Sequence, residues 1–152
     1  MIHRISFSIQ SLLDACVAQA SIDFSALRAS QPDIADAVYA DYTLTSDREV
    51  EFREALSTEL AYFASLLNDR LSFFSDYDDR LAWSIDIENR DAFTEVVSTL
   101  VFSYFKYRML AWWFSGRNDH LQIFYSERAE SAKRNIMSFS GGIMNGRTLR
   151  HF

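Results

Sequence analysis

LVFSYFKYRMLAWWFSGRND, residues 100–119, is the stretch on which the fold turns. Apolar and aromatic side chains fall on nearly every side of the element it forms, yet Lys106 and Arg108 sit in its middle. A membrane span needs about 20 mostly apolar residues, a length that Val96 to Phe114 approaches. The two cations decide against it. Each costs about 2.5–3.5 kcal/mol at the centre of an inserted helix, and two residues apart they cannot share one pore-facing side. No second span accompanies it, so no membrane role is expected. The stretch reads as the central helix of a small bundle.

Working outward, 152 residues is a single-domain length. Apolar residues make up 49% and aromatics 15%, with four Gly and one Pro, a composition of helices with few tight turns. The expected fold is mainly α: a bundle of four to five helices with a minor two-strand β element over residues 1–139, then a flexible, weakly basic tail, 140–152. Net charge −6 and a pI near 5.0 oppose general binding to phosphate backbones or anionic headgroups. Cys16 is the single cysteine and suits a reducing compartment, and MIHRISFSIQ lacks the features of a signal peptide, so cytosolic synthesis is expected.

Ile5, Phe7 and Ile9 alternate with polar residues as in a half-buried strand, before Leu12, Leu13, Cys16 and Ala20 switch to helical spacing. The handover falls at Ser8 or Ser11. Pro32 is placed for the first turn of another helix carrying Ile34, Val38 and Tyr42. Ser46 and Glu49 have capping-box spacing and open a helix whose stripe runs Phe52, Leu56, Leu60, Phe63, Leu67, Leu71, Phe74. SDYDD, residues 75–79, is the acidic turn that ends it. Leu81, Trp83, Ile85 and Ile87 then alternate as a strand that can pair with the one near Ile5. Asn89 or Asp91 caps the central helix, which stops near Gly116, and Asn118 or Asp119 begins the last. That helix presents Leu121, Phe124, Tyr125, Arg128, Ala129, Ala132, Ile136 and Phe139 on one face, with Glu130 one turn before Arg134.

No catalytic, metal or cofactor motif emerges. Aligned as a calcium loop from Asp76, the sixth position is Leu81 instead of Gly and the twelfth is Ile87 instead of Glu. His3, His120 and His151 are scattered, without partners at zinc spacing, and suit surface or capping roles. GGIMNG, residues 141–146, follows a helix instead of opening one, so it is no phosphate cradle. Cys16 on an apolar face reads as an inert core thiol. No enzyme is expected.

A helix of this character asks for more cover than two or three others supply. Tyr104, Tyr107, Trp112 and Trp113 are interface residue types, and Lys106 and Arg108 would lie at subunit seams, meeting Asp76, Asp78, Asp79 or a neighbour's acids. These six are the candidate interface.

The order of parts over residues 46–150 resembles the small head-to-tail adaptor proteins of tailed bacteriophages and prophages. It comprises an amphipathic helix, an acidic break, the strand RLAWSIDIENR, the aromatic helix FTEVVSTLVFSYFKYRMLAWWF, the turn SGRNDH and the helix LQIFYSERAESAKRNIMSF. Tyr104 to Trp113, and Tyr125 with Glu127, Arg128 and Ala129, match that family's loose patterns; the segment around Ile5, Phe7 and Ile9 matches none of them. The resemblance implies a noncatalytic virion subunit at the head–tail interface, made in the host cytoplasm, without cofactor. Its partners would be its own copies in a ring, the portal, and a tail or stopper protein, with DNA only as passing cargo. The tail, through Ile143, Met144, Arg147, Leu149, Arg150 and Phe152, would dock on a neighbour. Glu51, Glu54, Asp69 and the acidic turn are candidates to line the channel, where weak affinity for phosphate helps passage. The alternative is a small cytosolic helical-bundle regulator with an apolar pocket lined by Trp83, Trp112, Trp113 and Phe114.

Overall fold

The computed structural model describes residues 2–33, 42–87 and 93–140. Strand β1 (Ile2–Ser8) leads directly into helix α1 (Ile9–Ser30), as the change of period anticipates. Ser8 makes the handover: its extended backbone ends the strand, and its Oγ accepts a 2.9 Å bond from Ser11 N, satisfying a free donor of the first turn. Helix α2 (Glu49–Leu67), strands β2 (Leu71–Tyr77) and β3 (Arg80–Asp86), and helices α3 (Thr94–Phe114) and α4 (Asp119–Ser140) follow. The described residues therefore form four α-helices and a small antiparallel sheet, a mainly α fold with a minor β part.

The sheet has three strands, in the order β1-β3-β2. The expected pairing of the first and last strands is present, with Ile5 opposite Trp83 and Phe7 opposite Leu81. The extra strand corrects the α2 stripe. The helix stops at Leu67 because Asn68 turns to φ 50°, and Leu71 and Phe74 belong to β2. Phe74 packs on Trp83, ring centroids 5.5 Å apart, so its apolar character serves the sheet. Of the acidic stretch, Ser75 to Tyr77 is strand; only Asp78 and Asp79 turn, both at positive φ as a two-residue hairpin of the I′ kind requires.

Two further expectations about helix starts change. Ser46 begins a short 3₁₀ turn, Ser46–Arg48, and α2 starts at Glu49 with Arg48 at its cap position and no side-chain cap. Glu49 instead accepts from Arg53 at 3.1 Å, so the capping box is not formed. Helix α3 starts at Thr94 behind Phe93; Asn89 and Asp91 lie outside the described residues, as do Ile34 and Val38. At its other end Gly116 adopts φ +77°, which a residue without Cβ takes at little cost, and Asn118 Oδ1 accepts from Leu121 N at 2.9 Å to open α4.

The core lies between the sheet's inner face and the helices. Trp83 is its hub: it stacks on Phe105 of α3 at 5.5 Å, meets Phe63 of α2 edge-on at 6.0 Å, and touches Phe7 of β1. On the α4 side, Tyr125 lies between Tyr107 and Phe114, each 6.0 Å away. Its hydroxyl is 2.5 Å from Asp23 Oδ2, and burial followed by that carboxylate holds the phenol well above its usual range. Tyr125, Ala129, Ala132 and Ile136 are buried as anticipated, but Phe124 and Arg128 face outward, and Glu130 pairs with Lys133 at 2.8 Å instead of Arg134.

Candidate functional site

The six central-helix residues have divided fates, because the chain covers most of α3 itself. Tyr104 is 1% exposed and Trp113 2%, so neither can meet a neighbour in this fold. Trp113 Nε1 donates to the Tyr42 carbonyl at 2.7 Å, and the Arg117 guanidinium lies 3.7 Å from its ring centroid. Trp112 is half-buried, with Phe52 edge-on at 6.2 Å. Arg108 reaches α2 and not the hairpin acids: its Nε and one terminal nitrogen each donate to a Glu59 oxygen at 2.9 Å, a fork-to-carboxylate pair from α3 to α2. Asp79 instead accepts from Arg53 at 2.5 Å. Lys106 and Tyr107 remain half-buried at the surface, the ammonium 5.9 Å from the ring.

Tyr104 contributes an anomaly inside the bundle. Its hydroxyl is buried without a hydrogen-bond partner, and burial, then the nearby Glu59 charge, raises its ionisation well above the ordinary phenol value. An unpaired buried polar group costs about 1–3 kcal/mol. Tyr104→Phe should therefore stabilise the protein by about 1 kcal/mol, measured as an increased urea midpoint at unchanged slope.

Other large apolar side chains are left exposed. Phe73 (56% exposed) and Tyr77 (78%) stand on β2, and Ile123 and Phe124 on α4. Two open depressions adjoin them. One, of about 420 Å³, runs between α3 and α4 past Leu100, Ser103, Tyr107, Phe124, Arg128 and Ala132. The other, of about 440 Å³, lies on the outer face of the sheet, over Ser6, Ala82 and Ser84 between Arg4 and Phe73. Sequence periodicity missed the β2 pair because it placed that segment in and after a helix. A run with two adjacent Phe residues ending in Tyr beside a turn was the available signal.

The remaining candidates fall as follows. Trp83, Trp113 and Phe114 are buried core, packed by the chain's own residues. Of the channel acids, Glu51 pairs with Arg48 at 3.0 Å and Glu54 is exposed; Ile143, Met144, Arg147, Leu149, Arg150 and Phe152 lie outside the described residues. His3, expected at the surface, is buried instead: β1 turns it inward, its Nδ1 lies 2.8 Å from Thr94 Oγ1, and its Nε2 has no partner. His120 is exposed on the first turn of α4. No group of three His, Cys, Asp or Glu that could hold a metal occurs among the described residues, and none of their helices is long and apolar enough to cross a membrane.

Cys16 is sealed in the core with Sγ 3.7 Å from the Lys106 carbonyl, and burial pushes its thiol from 9.0 up to about 12. The folded state thus keeps a proton that the unfolded chain releases above about pH 9. The resulting stabilisation is full below that pH and disappears as pH rises toward 12; Tyr104 and Tyr125, also raised, act in the same direction. Iodoacetamide at about pH 8 should leave Cys16 unmodified in the native protein and label it in urea, and the urea midpoint should fall on going from about pH 8 to about pH 11.

With this geometry in place, comparison with protein-family models, curated proteins and solved structures finds no match for the chain.

Proposed function

We propose that the protein is a noncatalytic subunit of a head-to-tail adaptor ring in a tailed bacteriophage or prophage, docking on the portal, extending the DNA channel and receiving a tail or stopper protein. The observation that supports this reading is the succession of parts after residue 46: helix, two-stranded hairpin where the resemblance implies an acidic break and one strand, long aromatic helix, tight polar turn and final helix. The groove between α3 and α4 supplies a contact surface in support. It combines Leu100 and Tyr107 with the exposed Phe124 on a floor of small residues, Ser103 and Ala132. The ring contact is therefore assigned to this groove instead of to Tyr104, Arg108 and Trp113, which serve the chain's own core.

The test is co-expression with the portal protein encoded in the same genome, followed by mass measurement and electron microscopy of the complex. Free protein is a poor witness, since assembly can await the portal. A cyclic layer of copies on the portal ring is expected, lost on Ala132→Arg, which fills the groove. A chain that stays strictly monomeric and never joins the portal sinks the reading.

A further inference from the structure

Strand β2 lies at an edge: the order β1-β3-β2 leaves its second side without a strand among the described residues. A two-residue hairpin closes on a hydrogen-bonded pair, here Tyr77 with Arg80, and antiparallel pairs alternate. The N–H and C=O groups of Phe74 and Asp76 therefore point away from β3. Such a row is a template for one more strand unless something covers it. Its charge has one sign: Asp76 and, in the turn, Asp78 are exposed, and β2 holds no cation.

The last described helix delivers the chain to this edge. Helix α2 runs antiparallel to α3, Phe52 meeting Trp112 and Phe63 meeting Tyr104. Helix α4 does the same, with Tyr125 at Phe114 and Asn135 across the groove from Leu100. The two thus point the same way, and the Lys133 ammonium of α4 lies 6.0 Å from the Tyr62 ring of α2. From that level α2 continues to Leu67 and α4 to Ser140, so both stop at the end of the molecule where β2 begins at Leu71. Residues 141–152, GGIMNGRTLRHF, come next in the sequence, with three glycines, two arginines and no acid. Extended, they span up to about 40 Å, against about 24 Å for the seven residues of β2.

We propose that this segment of the same chain adds to β2 as a fourth strand. Residues 141–146, which hold its three glycines, make the connection, and residues 147–152 run along the edge in the direction of β2. The outward main-chain groups of Phe74 and Asp76 bond to it, as an extended peptide joins an open edge. Charge selects the strand: Arg147 and Arg150 meet Asp76 and Asp78, whereas the sheet's other edge, β1, carries His3 and Arg4 and no acid. Alternation puts Leu149 on one face of the added strand and Phe152 on the other, so either facing gives the exposed Phe73 and Tyr77 an apolar neighbour. A tethered segment has an effective concentration on the order of millimolar, which favours the chain's own tail over a neighbour's. The added strand closes the edge to other chains. It does not rest on the adaptor reading, and either can fail alone.

Hydrogen–deuterium exchange of the full chain tests it. Peptides covering Leu71–Tyr77 and residues 147–152 are both expected to be protected, equally from about 1 to about 100 µM protein. Arg147→Glu with Arg150→Glu should speed exchange of both about tenfold and leave α3 peptides unchanged. Asp76→Pro, which removes an outward donor and an acid but no β2–β3 bond, should expose the tail in the same way. Should it unfold the protein, the tail variant, which alters no described residue, still decides. The proposal is overturned by a wild-type tail that exchanges as an unfolded peptide does, or by folded variants that leave either peptide's exchange unchanged. Protection that rises with protein concentration also overturns it, because a neighbour's tail would then hold the edge.

Discussion

Replacing Trp83 with alanine should cost about 3–5 kcal/mol of stability, the range for removing a large buried aromatic from a core. The upper half of that range is expected. Trp83 is in ring contact with Phe7, Phe63, Phe74 and Phe105, which come from four different elements, so no single shift can close the space. A domain of this size has about 5–15 kcal/mol in total. The variant should therefore lie near its unfolding transition at physiological temperature. Equilibrium urea unfolding measures the effect, with Trp83→Phe as the milder control; a loss below about 1 kcal/mol would mean that Trp83 is not the hub described.

Arg108→Ala is the second large effect, and it arises from what is left behind. Glu59 is 14% exposed, and it loses both 2.9 Å bonds while remaining charged beside the buried Tyr104 hydroxyl. Breaking a fully buried ion pair costs about 3–5 kcal/mol. Arg108 itself is 31% exposed, so solvent screening lowers the expectation to about 2–3 kcal/mol. The diagnostic comparison is the double variant Arg108→Met with Glu59→Leu, which removes both charges and should return to within about 1 kcal/mol of wild type. Equal losses in the single and double variants would show that the arginine stem, not the orphaned carboxylate, carries the effect.

Local chemistry was legible where it was self-contained. The change of period at Ser8, the alternation through Trp83 and the turn at Gly116 and Asn118 each depend on a few consecutive residues, and each stands as read. The α2 stripe misled because Leu67, Leu71 and Phe74 keep helical spacing by coincidence, while the chain reverses at Asn68. The irregular register between Leu71 and Phe73 also disrupts the strand alternation that would have revealed β2. Long-range side-chain pairing was invisible for a different reason. Nothing near Arg108 in sequence names Glu59, and an aromatic side chain supplies apolar area without saying whose surface will cover it. Tyr104 and Trp113 have the composition of an interface and the position of a core. For the same reason the contact candidates moved to β2 and α4, where the residues are no more aromatic but are left outside.

Asp79 has a consequence for the order of folding. Its carbonyl receives Ile9 N at 2.8 Å, its carboxylate receives Arg53, and Gln10 N lies 3.4 Å from the other oxygen. One turn residue thus ties the start of α1 and the first turns of α2 to the hairpin. The hairpin and the α3–α4 pair join neighbours in the chain, whereas β1 must cross about half the sequence to reach β3. Closing so long a loop spends entropy before any contact repays it. The N-terminal strand is thus the natural latecomer, and Asp79 is the latch that catches it.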